Sequence, residues 1–335
     1  MPSKRLTTPR ILSALLTVVV AAVLTQCSAA QPRRGDLGLL LDEAALAAAV
    51  ERLRLPEDAA VLIAAGDIAR CDVPEPAQAT AALVEAIAAA AGSAIVITAG
   101  DHAYQRGTPY ELERCYGPAW GRFEASTRPS PGNHDYDTDD GAPFYEYFSY
   151  FDERPELRGK GYYSFRFAGW HVVALNSLIP MADGSAQLEW LETDLRANAD
   201  SSCTLAYWHH PLYSSGLRSL MPWYRGRKTA ELWETLIAHG ADVVVNGHEH
   251  LYDRFVPLDA RGEPAENGIR QFTVGTGGGN LAERTVRRKH REVLYGGYGV
   301  LVLVLEPSAY RFAFVGVDGI VHDASEAPIA CNGVT

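Results

Sequence analysis

Short apolar runs that stop at polar, glycine-containing loops set the rhythm of the chain. Residues 61–65, 94–99, 203–207 and 241–245 are such runs, the pattern of strands buried within a sheet. Between them, residues 77–91, 187–198 and 229–239 read as helices, the second offering Leu188, Trp190, Leu191 and Leu195 for inward packing. An Ala- and Leu-rich stretch over residues 36–54 predicts a helix leading in. Residues 162–167 and 170–176 read as a hairpin around Ala168 and Gly169, and 271–274, 300–305 and 310–315 as later strands. Strands that first alternate with helices and then follow one another predict an α/β fold with a mixed sheet or two packed sheets. No repeat or low-complexity linker follows residue 30.

The first thirty residues have a different pattern. Lys4, Arg5 and Arg10 precede an uncharged apolar run over residues 11–24, short for a membrane span and suited to a signal peptide. Ser28, Ala29 and Ala30 suit ordinary cleavage. Leu24-Thr25-Gln26-Cys27 resembles a lipoprotein box, though Gln26 stands where a small residue is usual. Secretion and lipid anchoring at Cys27 both remain open, and both predict an extracytoplasmic protein whose only membrane contact is that lipid. The expected organisation is a signal over 1–30, a helical lead-in over 31–57, one catalytic domain over 58–318 and a tail over 319–335.

The formal net charge of −11 becomes −14 once the three cations of residues 1–30 are removed. An acidic surface argues against nucleic acid as a partner, because phosphate-backbone binding leans on Lys and Arg. A small phosphate ester is compatible, since bound cations would supply local positive charge. Cys71, Cys115, Cys203 and Cys331 remain in an oxidising compartment and allow three pairings. Cys71 and Cys115 each follow a polar motif, which favours Cys71–Cys115 with Cys203–Cys331.

The polar loops carry the chemistry. Asp67 follows the first strand and Asp101 the second, with Tyr104 three residues on. Asn133, His134 and Asp135 follow Pro131-Gly132. His209 and His210 close the run from Cys203, and His248 and His250 flank Glu249 after Gly247. Carboxylates, imidazoles, an amide oxygen and no thiolate suit iron, zinc or manganese rather than a structural zinc cage. Each motif alone is weak, because Gly-Asp is a common turn; five in this order are far more specific.

That ordered set, Gly66-Asp67, Gly100-Asp101-x-x-Tyr104, Gly132-Asn133-His134-Asp135, His209-His210-Pro211 and Gly247-His248-Glu249-His250, resembles the calcineurin-like metallophosphoesterases. Within them it is most similar to the purple acid phosphatase branch, over about residues 60–315. The resemblance implies a single-domain, four-layer αββα sandwich with two metal ions. Asp67, Tyr104 and His250 would hold the first metal, Asp101 would bridge, and Asn133, His209 and His248 would hold the second. His134 would meet the substrate, with Asp135 orienting it, and His210 lies where it could also touch substrate. Position 69 is Ala69 where the family has His or Gly, so a Tyr104 phenolate favours Fe(III) at the first site, with Fe(II), Zn or Mn at the second. The implied reaction is hydrolysis of phosphomonoesters by a water activated between the cations. A diesterase acting on nucleotides or phospholipid head groups, and a surface-anchored binding protein without turnover, are the alternatives. The sequence does not fix the oligomeric state or the natural substrate.

Two further features carry expectations. Arg284, Arg287, Arg288, Lys289 and Arg291 form either a steering rim or a solvated loop. Tyr207, Trp208, Trp223 and Tyr224 could line a cleft or pack inside. The run Gly275 to Gly279 lacks the Lys and Ser or Thr of a nucleotide loop.

Overall fold

The computed structural model describes residues 43–149 and 159–333. The expected signal, Cys27 and the start of the 36–54 helix lie outside the described residues. The described part of that helix is α1 (Glu43–Leu53). The strands run in chain order as β1 (Ala60–Ala65), β2 (Ser93–Ala99), β3 (Thr127–Ser130), β4 (Tyr163–Phe167), β5 (Trp170–Ala174), β6 (Thr204–Trp208) and β7 (Val243–Asn246). They continue as β8 (Tyr252–Phe255), β9 (Arg270–Val274), β10 (Arg291–Tyr295), β11 (Gly299–Glu306), β12 (Ala309–Gly316), β13 (Val321–Ala324) and β14 (Ile329–Ala330). The longer helices after α1 are α2 (Glu75–Ala90), α3 (Ala186–Ala197) and α4 (Ala230–Ala238).

The chain opens and closes in one seven-stranded sheet and spends its middle in another. The first sheet has the order β13-β12-β11-β1-β2-β3, with β14 paired to β12; the second has the order β10-β8-β9-β7-β6-β5-β4. Strands β1, β2 and β3 are parallel, as are β5, β6, β7 and β9. Their carboxyl ends carry the polar motifs, so the two sheets present them at one edge of the sandwich.

Side chains alternate across each strand, which lets one strand serve two layers. On β1, Val61, Ile63 and Ala65 pack outward with Leu83, Val84 and Ile87 of α2. Leu62 and Ala64 point the other way, into the shared core with Val172, Leu205, Val245 and Phe272 of the second sheet. Beyond that sheet, Val173, Ala206 and Val244 meet Leu188, Leu191 and Leu195 of α3 and Leu232, Trp233 and Leu236 of α4. The layers are therefore αββα, as the resemblance implied.

Five of these fourteen strands, β3, β8, β10, β13 and β14, are absent from the sequence reading. β3 contains Pro129, acceptable because β3 is an edge strand. β8 contains Asp253 and Arg254 in place of apolar residues; Arg254 is neutralised by Asp323 of β13 at 2.6 Å and by Glu292 of β10. Residues 319–335, expected as a tail, include β13 and β14 and so complete the first sheet. Cys71 pairs with Cys115 and Cys203 with Cys331, at Cα separations of 5.1 and 5.4 Å. The second bridge staples the end of β14 to the entry of β6 and so ties one sheet to the other. Among the described residues no helix is long and apolar enough to cross a membrane.

Candidate metal centre

Glycine followed by a ligand-type residue is the local device that builds this site. Asp67, Asp101 and His248 all have left-handed backbone, with φ of 59°, 54° and 70°. That region is sparsely used by side chains other than Asn, Asp and His. Each residue thus turns sharply off its strand and swings its side chain over the sheet edge. A glycine is required at Gly132, where any Cβ would collide with the Asp101 carboxylate and backbone. Two parallel two-residue strands, Ala69–Arg70 and Ala103–Tyr104, lock the first motif to the second.

The functional atoms converge in two overlapping groups. Tyr104 OH donates to Asp67 Oδ1 at 2.8 Å and lies 3.1 Å from His250 Nε2, which is itself 3.1 Å from Asp67 Oδ1. Asp101 Oδ2 lies 3.3 Å from Tyr104 OH on one side and 3.2 Å from His209 Nε2 on the other. Asn133 Oδ1 is 3.1 Å from His209 Nε2 and 3.0 Å from His248 Nδ1. The seven residues expected as ligands therefore meet, and Asp101 stands between the groups. Asp67, Asp101 and His209 offer mutually close donor atoms, as do His209, His210 and His248.

The hydrogen bonds behind these atoms decide which lone pairs face inward. His209 Nδ1 bonds the Ala99 carbonyl at 2.7 Å, and His250 Nδ1 bonds the Asn280 carbonyl. A carbonyl only accepts, so each Nδ1 carries a proton and each Nε2 faces the acceptors of the cluster. The other Asp oxygens are held by backbone: His248 N donates to Asp67 Oδ2 at 2.7 Å and His134 N to Asp101 Oδ1 at 2.8 Å.

The electrostatics call for positive charge. Burial by itself would push the His209 pKa down, but Asp101 and then Asp67, with the Ala99 carbonyl, raise it to about 9. His250 is likewise raised by Asp67 against the effect of burial. Burial would raise the Asp101 pKa, and His209 nonetheless holds it below the ordinary carboxylate value. Buried carboxylates, a phenol, an amide oxygen and three imidazoles with a ring nitrogen facing the cluster fit a pair of hard or borderline metal ions.

Two residues, Asp135 and His210, lie elsewhere than expected. Asp135 does not reach His134: its carboxylate accepts from the backbone N–H of Asp101, His102 and Gly132 and bonds His102 Nδ1 at 3.0 Å. It buckles the second motif to the third. His134 Nδ1 instead bonds the Gln105 carbonyl at 2.5 Å, with Asp137 3.3 Å away. His210, expected at the substrate, is buried with its ring centroid 4.3 Å from that of His248 and its Nδ1 on Ser177 Oγ. Burial and neighbouring His209 push its pKa well below the usual value. His102 is also buried, between Thr98 and Asp135.

A cavity of about 450 Å³ opens over the cluster, lined by Tyr104, Gln105, His134 and His250 and by Arg70, Arg218, Glu249 and Arg284 among others. Of the basic run, only Arg284 lines it; Arg288 and Arg291 are tied to the 214–219 loop or its neighbours, and Lys289 to Glu263. Tyr207, Trp208 and Tyr224 are buried, whereas Trp223 is exposed. The glycine run backs the first motif, since Gly277 N donates to Gly66 O and Gly279 N to Asp67 O. Arg218 and Asn280 carried no readable signal, because neither sits in a motif.

Comparison with known proteins agrees with this geometry. Purple acid phosphatase 21 of Arabidopsis thaliana is 33% identical over 181 residues, 48% of this chain and 40% of the relative. Purple acid phosphatase 15 of the same plant is 36% identical over 150 residues, 40% of this chain and 27% of the relative. The matched regions thus span less than half the length of these relatives. Among solved structures, a purple acid phosphatase from yellow lupin (Lupinus luteus) seeds shares the fold with a TM-score of 0.65 at 18% identity, covering 80% of this chain and 53% of that one. PhoD shares it with a TM-score of 0.56 at 12% identity, covering 80% and 68%. The family model for calcineurin-like phosphoesterases matches residues 61–252, more than half of the sequence, and the chain belongs to that family.

Proposed function

We propose that the protein is exported and hydrolyses phosphate monoesters at a dinuclear metal centre of purple acid phosphatase type. The observation that carries this reading is Asp101 Oδ2, set within 3.3 Å of both Tyr104 OH and His209 Nε2 between two complete donor groups. Asp67, Tyr104 and His250 would hold one ion, Asn133, His209 and His248 the other, and Asp101 both. When bound, the pair supplies charge that neutralises the phosphoryl oxygens and acidifies a water nucleophile. The residues contribute position. Ala99 and Asn280 fix the inward-facing nitrogens of His209 and His250, so little reorganisation accompanies reaction. With Nδ1 on the Gln105 carbonyl, His134 Nε2, 4.0 Å from Asp101 Oδ2, is the atom turned to meet the phosphoryl group or to give a proton to the leaving oxygen.

Tyr104 supports iron at the first position. Burial, then Asp67 and Asp101, push its pKa well above the usual value, so the phenol keeps its proton unless a highly charged cation displaces it. Fe(III) satisfies that demand better than Zn(II), and Fe(II), Zn or Mn suits the second position. Metal analysis and a visible absorption spectrum on the purified protein test this. Two metals per chain with a broad visible band that Tyr104→Phe abolishes is the expected result; fewer than one metal after reconstitution would sink the mechanism.

A further inference from the structure

The cavity above the metal-ligand cluster is larger than a phosphoryl group needs, and falls within the range of about 300–1,000 Å³ typical of metabolite pockets. Three arginines line it, and they are held differently. Arg70 is engaged, paired with Asp72 and bonded to Asn280. Arg218 and Arg284 are exposed and have no carboxylate ion partner among the described residues.

The backbone brings these two together. Gly216 and Thr285 form an antiparallel bridge, and Val286 N donates to Ser215 O at 2.8 Å. The bridge joins the two loops, and Arg218 and Arg284 both line the cavity. Gly216 makes the approach possible, because a Cβ there would strike the Glu249 carboxylate. Arg218 lies near the cluster as well, its Nη1 3.5 Å from the His248 carbonyl. In a chain of net charge −11, Arg218 and Arg284 form no ion pair among the described residues, although burial raises the pKa of Glu249 in the same lining and nearby Arg218 lowers it. Beside a phosphate-type site such exposed guanidinium groups favour an anion.

Resting on the phosphoesterase reading, we propose that Arg218 and Arg284 form a second anion subsite. The preferred substrates are then small phosphate esters or anhydrides that carry a further phosphate or carboxylate beyond the phosphoryl group attacked. Guanidinium pairs with either anion by paired N–H donors, which supplies discrimination against esters with a neutral leaving group.

Calorimetric binding of methylenediphosphonate, a pyrophosphate analogue whose P–C–P bond is not hydrolysed, and of orthophosphate to the purified protein tests the subsite without turnover. Arg218→Ala and Arg284→Ala should each weaken the diphosphonate relative to orthophosphate by about 10- to 100-fold, the range for lost charge-assisted bonds. Arg287→Ala, outside the cavity, should leave the ratio alone. Variants that leave the ratio unchanged, or weaken both anions equally, overturn the proposal. Kinetics separate the two anion sources, by comparing pyrophosphate and phosphoglycolate with 4-nitrophenyl phosphate. An advantage for phosphoglycolate that is lost in both variants marks a carboxylate, the same for pyrophosphate marks a phosphate, and an advantage for neither overturns the substrate assignment. Diphosphonate binding that depends on Arg218, with no turnover of any ester, would keep the subsite and refute the hydrolytic reading.

Discussion

On the floor of the site Asp101, Asp135 and His209 are fully buried, and each is tied to backbone groups of a different strand end. On the rim Leu217, Arg218 and Arg284 are exposed and joined to the rest by a single bridge and a few loop bonds. The floor is over-determined and the rim is not. A rigid floor is what a preorganised electrostatic site requires, while a loosely held rim can change without disturbing it. The contrast assigns chemistry to one layer and substrate choice to the other.

The largest test removes a floor residue that touches no substrate. Asp135→Ala strands three backbone N–H groups and the His102 ring in a buried space. A loss of about 3–5 kcal/mol in stability is expected, with activity falling alongside it. Denaturant unfolding and steady-state kinetics would show it; an active variant of unchanged stability would break the comparison. His134 sits between the layers, with its backbone on Asp101 and its ring half-exposed. His134→Ala should lower kcat by about 100-fold or more with little change in melting temperature, as suits a proton-transfer group. A shift in stability without a loss of kcat would place it with the floor.

The smallest effect lies at the far end of β7. Asp242 accepts from Thr204 N and Asn332 N, and its burial raises its pKa from 3.8 to about 6. The folded state therefore keeps this proton to higher pH than the unfolded chain does. Its contribution to stability is full below about pH 4, declines as pH rises to about 6 and is flat above. The decline is of order 1–2 kcal/mol once residual solvent screening is allowed for. Asp242→Asn should flatten the melting temperature over that window while leaving activity, measured at the other sheet edge, intact. An unchanged slope would mean that a different group governs it.

What the sequence reveals follows the same division. Asp67, Asp101, Asn133 and His248 are legible because each must follow a glycine at a strand end, and that pairing is local. Runs such as 61–65 and the α3 periodicity make an α/β fold legible, whereas the αββα layering comes from the family resemblance of the motifs. Asp135 is misread because its neighbour in sequence, His134, is not its partner; His102 is, from a loop some thirty residues earlier. His210 has the same defect, since its burial under His248 depends on two loops meeting. β8 and β13 escape notice because Asp253, Arg254 and Asp323 look like surface charges until Arg254 of the second sheet meets Asp323 of the first. Arg218 gives no signal in the sequence and Arg284 stands out only within the basic run; that both line one cavity is visible only in the structure.

The left-handed backbone at Asp67, Asp101 and His248 has an evolutionary consequence. Asn tolerates that conformation as well as Asp does, and a single nucleotide change converts one codon into the other. Replacing either aspartate by asparagine would remove charge from the proposed metal centre while leaving the backbone conformation accessible. An inert descendant is thus one mutational step from the proposed hydrolase, and the return path is equally short. Lineages built on this loop geometry can exchange catalysis for scaffolding, and recover it, without redesigning the sandwich beneath.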